Sequence, residues 1–414
     1  MINARSLSHA ILCDVIMQGQ YANLALKQRL KQVESIDKSF VTKLVYSTLT
    51  YQLICRARWS SYVLHKPKER IAILLDMSVA QLFYFDRIPE YAIVNEAVEI
   101  AKRESSEYGR MVNAILRKVI ANQITIVSEL DSSDLALTYA LPKWIFALWQ
   151  KQYGQSEACM IAESLLQEEN HTIRLNLLKP LSIKDPFLKA LDYPKAFDYE
   201  GNLLESEIFK HGHVFPQDLS SQIVVDFCEV LPNMRVLDMC SAPGSKAVAL
   251  AGLMQNQGEI IACDIHPQRV QLIEELAEKC NAIIIKTECL DTRLIHLSHP
   301  SHSFDVVIVD APCSGLGVLR HKPDIKIHLK PETIDQLLVL QYELLSEASL
   351  MINEEGSLIY STCTINRKEN QAQIQHFLND HPDFICVEEK QILPYQMHSD
   401  GFYMAKLKKN KTMV

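Results

Sequence analysis

Cys313, in the stretch VDAPCSGLG, and Cys363, in IYSTCTINRKEN, are the residues whose type and placement most directly suggest chemistry. A free cysteine is usually a small apolar core residue, and Cys55, Cys228, Cys263 and Cys280 suit that role. The first two differ. Each lies just beyond a Val- or Ile-rich run, beside a proline or a Thr-rich turn, where a side chain faces a cleft. A thiol there can be activated by cationic neighbours or helix termini to the reactive thiolate. Two such thiols converging on one mouth would suit covalent catalysis, one attacking and the other assisting release. The eleven cysteines are odd in number and contain no C-x-x-C pair. That argues against a disulfide framework or a zinc site, so no metal is expected and a reducing, cytoplasmic setting fits.

A second constellation lies upstream. The strand-like run MRVLDMC leads directly into SAPGSK and then a good helix. A strand, a tight turn and a helix amino terminus set backbone N–H donors around a polar or anionic ligand group. The small residues Ser241, Ala242, Gly244 and Ser245 let a ligand approach the backbone. The next strand ends in Asp264, where a carboxylate can accept from a ribose diol. Later strands lead to Asp291 and Asp310. Any one of these could merely cap a helix or begin a turn. Four strand ends that each supply a polar group weaken that reading for the set. No G-x-G-x-x-G follows the first strand and no G-x-x-x-x-G-K-[ST] is present, which disfavours dinucleotide and P-loop chemistry.

The elements that must position these residues follow from periodicity. From about 216, the runs MRVLDMC, GEIIACDI, NAIIIKTE, FDVVIVDAP and GSLIYSTC alternate with helical stretches such as PQRVQLIEELAEKC. Continuously apolar strands between helices imply a largely parallel sheet covered on both faces, with ligands beyond the carboxyl ends of its strands. Residues 1–135 show helical spacing and almost no strand signal. There Pro89 suits a helix start, and Gly109 is expected between one helix and the next. Between 136 and 215, LPKWIFALWQKQYG starts a helix at Pro142, HTIRLNLLK alternates like a half-buried strand, and three prolines break up the rest.

The composition is that of an ordinary folded protein, 48% hydrophobic and 22% charged over 414 residues. No run approaches the ~18 apolar residues of a membrane span. Asp14 interrupts the one apolar stretch near the amino terminus, so no signal peptide is expected. Net charge is −8, but the first 140 residues carry +3 and the remainder −11. A mildly basic front permits phosphate contact without demanding it. Arg110, Arg117 and Lys118 can share a helix face there, as phosphate contacts or simply as a solvated face. His321, Lys322 and Lys326, just after the Cys313 loop, are expected to be better placed for contact with a nucleic acid.

VDAPCSG and STC, with DMCSAPGSK upstream, resemble the motifs of the RNA cytosine-C5 methyltransferases that use S-adenosyl-L-methionine. The similarity spans nearly the whole chain. IPEYAIVNEAVEIAK and GRMVNAILRK resemble the NusB-like front of the branch that acts on small-subunit ribosomal RNA, and VFPQDLSSQ, LRHKPDIK and DGFYMAKLKK match its remaining blocks. The resemblance implies a multidomain chain. An all-α NusB-like RNA-binding domain would span 1–135 and a small mixed α/β bridging segment 136–215. A Rossmann-like class I methyltransferase domain, with a seven-stranded, mostly parallel sheet, would span 216–410. It further implies methylation of C5 of a cytosine in 16S ribosomal RNA; a monomer is expected, with no metal or membrane partner.

Residue by residue, the resemblance implies that the Cys363 thiolate attacks C6 and that Cys313 helps remove the C5 proton. Asp310 would hydrogen-bond the base edge and border the cofactor. Cys240, Ser241, Ala242, Pro243, Gly244, Ser245 and Lys246 correspond to the cofactor loop. Asp264 would hold the ribose and Asp291 would lie near the adenine, a place Glu288 could also fill. Covalent attack suits this chemistry, because cytosine C5 becomes nucleophilic only once a thiolate adds at C6. The base must be single-stranded or extruded to reach such a pocket. The loop departs from the family's usual Gly-Gly-Lys-Thr, reading Gly244-Ser245-Lys246-Ala247 here. Two other readings compete: the same chemistry on another RNA such as transfer RNA, and an RNA-binding assembly factor whose methylation is vestigial.

Overall fold

The computed structural model describes residues 3–32, 35–122, 134–167, 171–181 and 185–410. It divides into two compact units, residues 1–167 with 319–329, and residues 168–318 with 330–414.

The first unit is helical. Its main helices are Ala4–Gln18, Ala22–Arg29, Ser35–Ser60, Glu69–Tyr84, Glu90–Lys102, Ser106–Ala121, Lys143–Tyr153 and Gln155–Ser164. Their apolar faces meet in a core that includes Ile11, Leu44, Leu49, Trp59, Leu74 and Leu116. Pro89 stands at the N-cap of its helix, as its missing N–H allows. Gly109 is not between helices. Ser105 caps the following helix by accepting from the Tyr108 N–H, so the helix starts at Ser106 and Gly109 falls inside its first turn. Its small size serves packing, because a Cβ there would lie 2.7 Å from Lys102 Cγ on the preceding helix.

Residues 319–329 cluster with the helical unit. Within the helical unit, Asp324 accepts from the Ala22 N–H at the start of a helix, and Ile327 packs on the core. Lys326 is buried, and its ammonium donates to the carbonyls of Thr50 and Ala140. The expectation that Lys326 contacts RNA is therefore wrong, since a lysine capping two buried carbonyls has no face left for a phosphate. Lys322 is exposed, and so are Arg110, Arg117 and Lys118 on the outer face of the helix Ser106–Ala121.

The second unit opens with a small antiparallel sheet of β1 (His171–Leu175), β2 (Leu188–Ala190), β3 (Ala196–Tyr199) and β4 (Val214–Pro216), in the order β2-β3-β1-β4. The larger sheet contains β5 (Arg235–Asp238), β6 (Glu259–Asp264), β7 (Ile285–Cys289), β8 (Phe304–Asp310), β9 (Ile352–Thr362), β10 (Phe384–Ile392) and β11 (Phe402–Lys409). Its order is β10-β11-β9-β8-β5-β6-β7. The five strands from β5 to β9 run parallel; β11 pairs antiparallel with β9 and β10 antiparallel with β11, so β11 alone runs against the other six. Buried Val and Ile on both faces of β5, β6 and β8 give two apolar layers, one against each set of helices. The strand order reverses between β5 and β8, and that switch point opens a crevice at the carboxyl ends of the strands.

The compact units fall differently from the three segments read from the sequence. The helices Lys143–Tyr153 and Gln155–Ser164 lie with the helical unit, and the small sheet lies with the large one. Among the described residues no helix is long and apolar enough to cross a membrane.

Burial pushes the Lys326 ammonium down to about 7. Its unfolded value is about 10.4, so between those limits the unfolded chain binds more protons than the folded one. The cost of burying the charge is complete below about pH 7 and disappears as the pH rises towards the unfolded value. Thermal melting from pH 7 to 9.5 should therefore show the wild type gaining stability relative to Lys326→Met. Parallel curves for the two proteins would refute the buried charge.

Candidate active site

The crevice is built from four strand ends and one helix start. After β5 the chain turns through Met239–Gly244 into the helix Ser245–Leu253. Two backbone bonds pin the turn: the Ser241 N–H donates to Cys263 O, and the Gly244 N–H to Ser241 O, each at 2.8 Å. Gly244 adopts φ +97°, and a Cβ there would sit 3.0 Å from the Ile273 backbone, so both conformation and space call for glycine. Ser245 is the first residue of the helix and is not among the positive-φ residues. The departure from Gly-Gly at this place therefore introduces no backbone strain.

Asp238, the last residue of β5, was not singled out from the sequence. It is fully buried, and neither carboxylate oxygen has a hydrogen-bond partner. The Ser241 hydroxyl next to it is likewise unpartnered. Burial pushes the Asp238 carboxyl up to about 6, opposed by the nearby Ser241 hydroxyl and the Lys246 ammonium. An acidic residue closing the apolar central run RVLD was the available signal. Asp264, at the end of β6, is buried too, accepting from the His266 N–H and pairing with Arg269 at 3.2 Å.

Asp310 ends β8. One of its oxygens accepts from the Ser361 hydroxyl at 2.9 Å and the other from the Lys246 ammonium at 2.6 Å. Burial alone would lower the Lys246 pKa, but attraction to Asp310, with help from Asp238 and Cys363, holds it above its ordinary value. Lys246 is thus a fixed positive charge at the crevice floor.

The two thiols meet. Cys313, three residues past Asp310, and Cys363, one residue past β9, place their sulfurs 3.3 Å apart, and both are half-buried. The loops are laced together: the Gly317 N–H donates to Cys363 O, and the Gly401 N–H donates to Gly317 O. A Cβ on Gly317 would lie 1.9 Å from Gly401 O, so only glycine allows this crossing. The hydrogen bond to Cys363 and then burial raise the Cys313 thiol well above its ordinary value. Cys313 accordingly holds its proton more tightly than a free thiol, and the two sulfurs share a hydrogen bond in which either can be the donor.

The remaining expected site residues fall as follows. Burial raises the Cys240 thiol far out of the reactive range, which leaves its backbone rather than its sulfur as the contribution to the turn. Ala242 O accepts from Arg269, and Pro243 is exposed. Asp291 is on the rim at the N-cap of a short 3-10 helix, held below the usual carboxylate range by hydrogen bonds from Arg293. Glu288 faces His299 at 3.0 Å.

The residues present suit a cationic, ribose-bearing ligand. An unpaired buried carboxylate at Asp238 costs several kcal/mol unless a positive group or N–H donor meets it. Asp264 stands one strand over, where a diol can be bound.

Comparisons with known proteins agree with this geometry. Residues 228–408 match the model of the 16S rRNA methyltransferase RsmB/F family, and residues 2–121 match that of the NusB family. The probable ribosomal RNA small subunit methyltransferase B of Bacillus subtilis (strain 168) is 31% identical across 98% of this chain and 99% of its own length. The chain belongs to the ribosomal RNA small subunit methyltransferase B family. A second member, from Proteus mirabilis, is 27% identical over 98% of the chain and 99% of its own length. The fold agrees with the crystal structure of PH0851, at TM-score 0.80 and 22% identity over 99% of each chain. It also agrees with that of NSun6 from Pyrococcus horikoshii with SFG, at TM-score 0.58 and 19% identity over 65% of this chain and 98% of that one. As a member of the ribosomal RNA small subunit methyltransferase B family, the chain is an S-adenosylmethionine-dependent RNA methyltransferase with a NusB-like helical front.

Asp238→Asn tests the cofactor reading. The folded carboxyl, at about 6, lies above its unfolded value near 3.9, so its ionisation opposes folding above that range and ceases to matter below about pH 4. The neutral variant should melt higher than wild type at pH 8, by the equivalent of about 2–3 kcal/mol. The gain should shrink towards pH 4. Calorimetry with S-adenosylmethionine should show affinity lower by about tenfold or more, the value of a charged hydrogen bond. Unchanged affinity would remove Asp238 from the cofactor site.

Proposed function

We propose that this chain methylates C5 of a cytosine in 16S ribosomal RNA through a covalent bond between Cys363 and C6. The observation that carries the reading is the 3.3 Å pair of thiols beside the Lys246–Asp310 ion pair, at the switch point of the sheet. Bound S-adenosylmethionine would supply an electrophilic methyl group on a sulfonium sulfur, held by the 240–246 turn, Asp238 and Asp264. Lys246 favours negative charge on Cys363, and Cys313 donates a hydrogen bond to it, so the thiolate is prepared for attack at C6.

Once the Cys363 sulfur is bonded to carbon, it no longer takes the Cys313 proton as an anionic acceptor. The first cause holding the Cys313 proton is thereby removed. Once C5 has bonded the methyl group, with the methyl–sulfonium bond breaking, Cys313 gives its proton to solvent and the resulting thiolate takes the proton from C5. Loss of that proton restores the double bond as the Cys363 sulfur leaves. Asp310, fixed by Ser361 and Lys246, is placed to hold the polar edge of the base. The exposed row Arg110, Arg117 and Lys118 on the helical unit supports phosphate contact by its charge and position. Asp291 is proposed at the adenine rim, on the side of the cofactor site away from the thiols.

Labelled methyl transfer into unmodified 16S RNA, followed by bisulfite mapping of resistant cytosines, tests the reading. Cys363→Ala should abolish transfer. Cys313→Ala should trap a protein–RNA adduct that survives a denaturing gel. An adduct formed by the first variant and not by the second would reverse the two roles.

A further inference from the structure

The residue after each thiol carries a hydroxyl, and the two hydroxyls are joined. Ser314 Oγ and Thr364 Oγ1 lie 2.8 Å apart, and both belong to a cluster centred on Glu369. Glu369 has no exposed surface. Its Oε1 accepts from the Ser314 backbone N–H at 2.8 Å and from Gln341 Nε2 at 3.2 Å. Its Oε2 accepts from the Ser314 hydroxyl at 2.6 Å and from Asn366 Nδ2 at 2.9 Å. Its own backbone carbonyl accepts from the Tyr360 hydroxyl, on the strand that leads to Cys363. Gln341 also donates to Pro312 O, so the cluster grips the Cys313 loop on both sides of the thiol.

We infer that Glu369 is a positioning residue that fixes the separation of Cys313 and Cys363: it binds Ser314, the residue after Cys313, directly, and holds Thr364, the residue after Cys363, through the Ser314 hydroxyl and Asn366. Four donors converge on its two oxygens, and a carboxylate is the side chain that accepts at both atoms without offering a donor. Glutamine would turn an amide N–H towards two of those donors, and aspartate is one methylene short. The cluster lies behind the thiols in the protein interior, so Glu369 acts through them and not on the base. A loop held from one end alone could shift by an ångström, and a displacement of that size between reacting groups costs about a hundredfold in rate.

This inference rests on the proposed role of the two thiols, but part of its test does not. The full-length chain and Glu369→Gln are treated with diamide, a diazene that takes one hydrogen from each thiol as the sulfurs bond, and the Cys313–Cys363 disulfide is followed by peptide mass spectrometry. The variant should form that bond about tenfold more slowly. Its kcat should fall about a hundredfold with KM and cofactor affinity within about twofold. Ser314→Ala, which removes one donor and leaves the carboxylate in place, should show the same pattern to a smaller degree, and it decides the matter if Glu369→Gln does not fold. Disulfide formation and kcat both at wild-type levels in the deciding variant would overturn the inference. Slower disulfide formation in the variant, together with no RNA adduct from Cys313→Ala, would leave Glu369 as the positioning residue and remove the covalent role. An adduct from Cys313→Ala with an unaltered disulfide rate in Glu369→Gln would do the reverse.

Discussion

The active-site geometry depends on the parallel pairing of β8 with β9. Their register sets Asp310 opposite Ser361, and the two bond through the serine hydroxyl. Because neighbouring parallel strands point their carboxyl ends the same way, the residues just past that pair emerge side by side. Cys313 and Cys363 therefore converge although 50 residues separate them. A slip of one residue would turn every side chain of one strand to the other face and move its exit with it. The register is well defended, since Val307, Val309, Leu358 and Tyr360 fill one apolar layer and Ile308 and Ile359 the other.

On that frame the electrostatics are deliberately unbalanced. Asp238, Asp264 and Asp310 lie at three adjacent strand ends, and Lys246 reaches one of them directly. The chain tolerates an unpartnered buried carboxylate at Asp238, a local cost that is reasonable where a cationic ligand is to be received. The same Lys246 favours the ionised form of Cys363. One fixed cation thus serves the Asp310 carboxylate and the Cys363 thiol together, which couples the two halves of the crevice.

Much of this was legible in the sequence, for physical reasons. Central parallel strands are apolar on both faces, so FDVVIVDAP and GSLIYSTC announce themselves, and chemistry must follow them directly. The 240–246 turn was legible because strand, small residues and helix start occur in order. What was not legible depends on tertiary placement. Asp238 reads as the tail of a strand, and only its burial without a partner reveals it. Glu369 stands in RKENQ, a polar run that by composition belongs on a surface, yet four donors from two loops and a helix draw it inside. Gly109 was misplaced because glycine marks helix ends in sequence far more often than it marks close helix packing.

Lys326 shows the same limit in sharper form. Its neighbours His321 and Lys322 make a basic cluster that reads as an RNA contact, and charge alone cannot tell a solvated lysine from a buried one. The distinction lies in what the segment 319–329 does. It leaves the methyltransferase unit shortly after the Cys313 loop, satisfies the carbonyls of Thr50 and Ala140 and an orphan helix N–H inside the other unit, and returns at Lys330. The two units are consequently not beads on one linker. The chain passes between them more than once, and one of those passages is the direct continuation of the loop that carries Cys313. A cut after residue 135, the boundary suggested by composition, would separate that segment from the Thr50 carbonyl that Lys326 satisfies and from the Ala22 N–H that Asp324 holds.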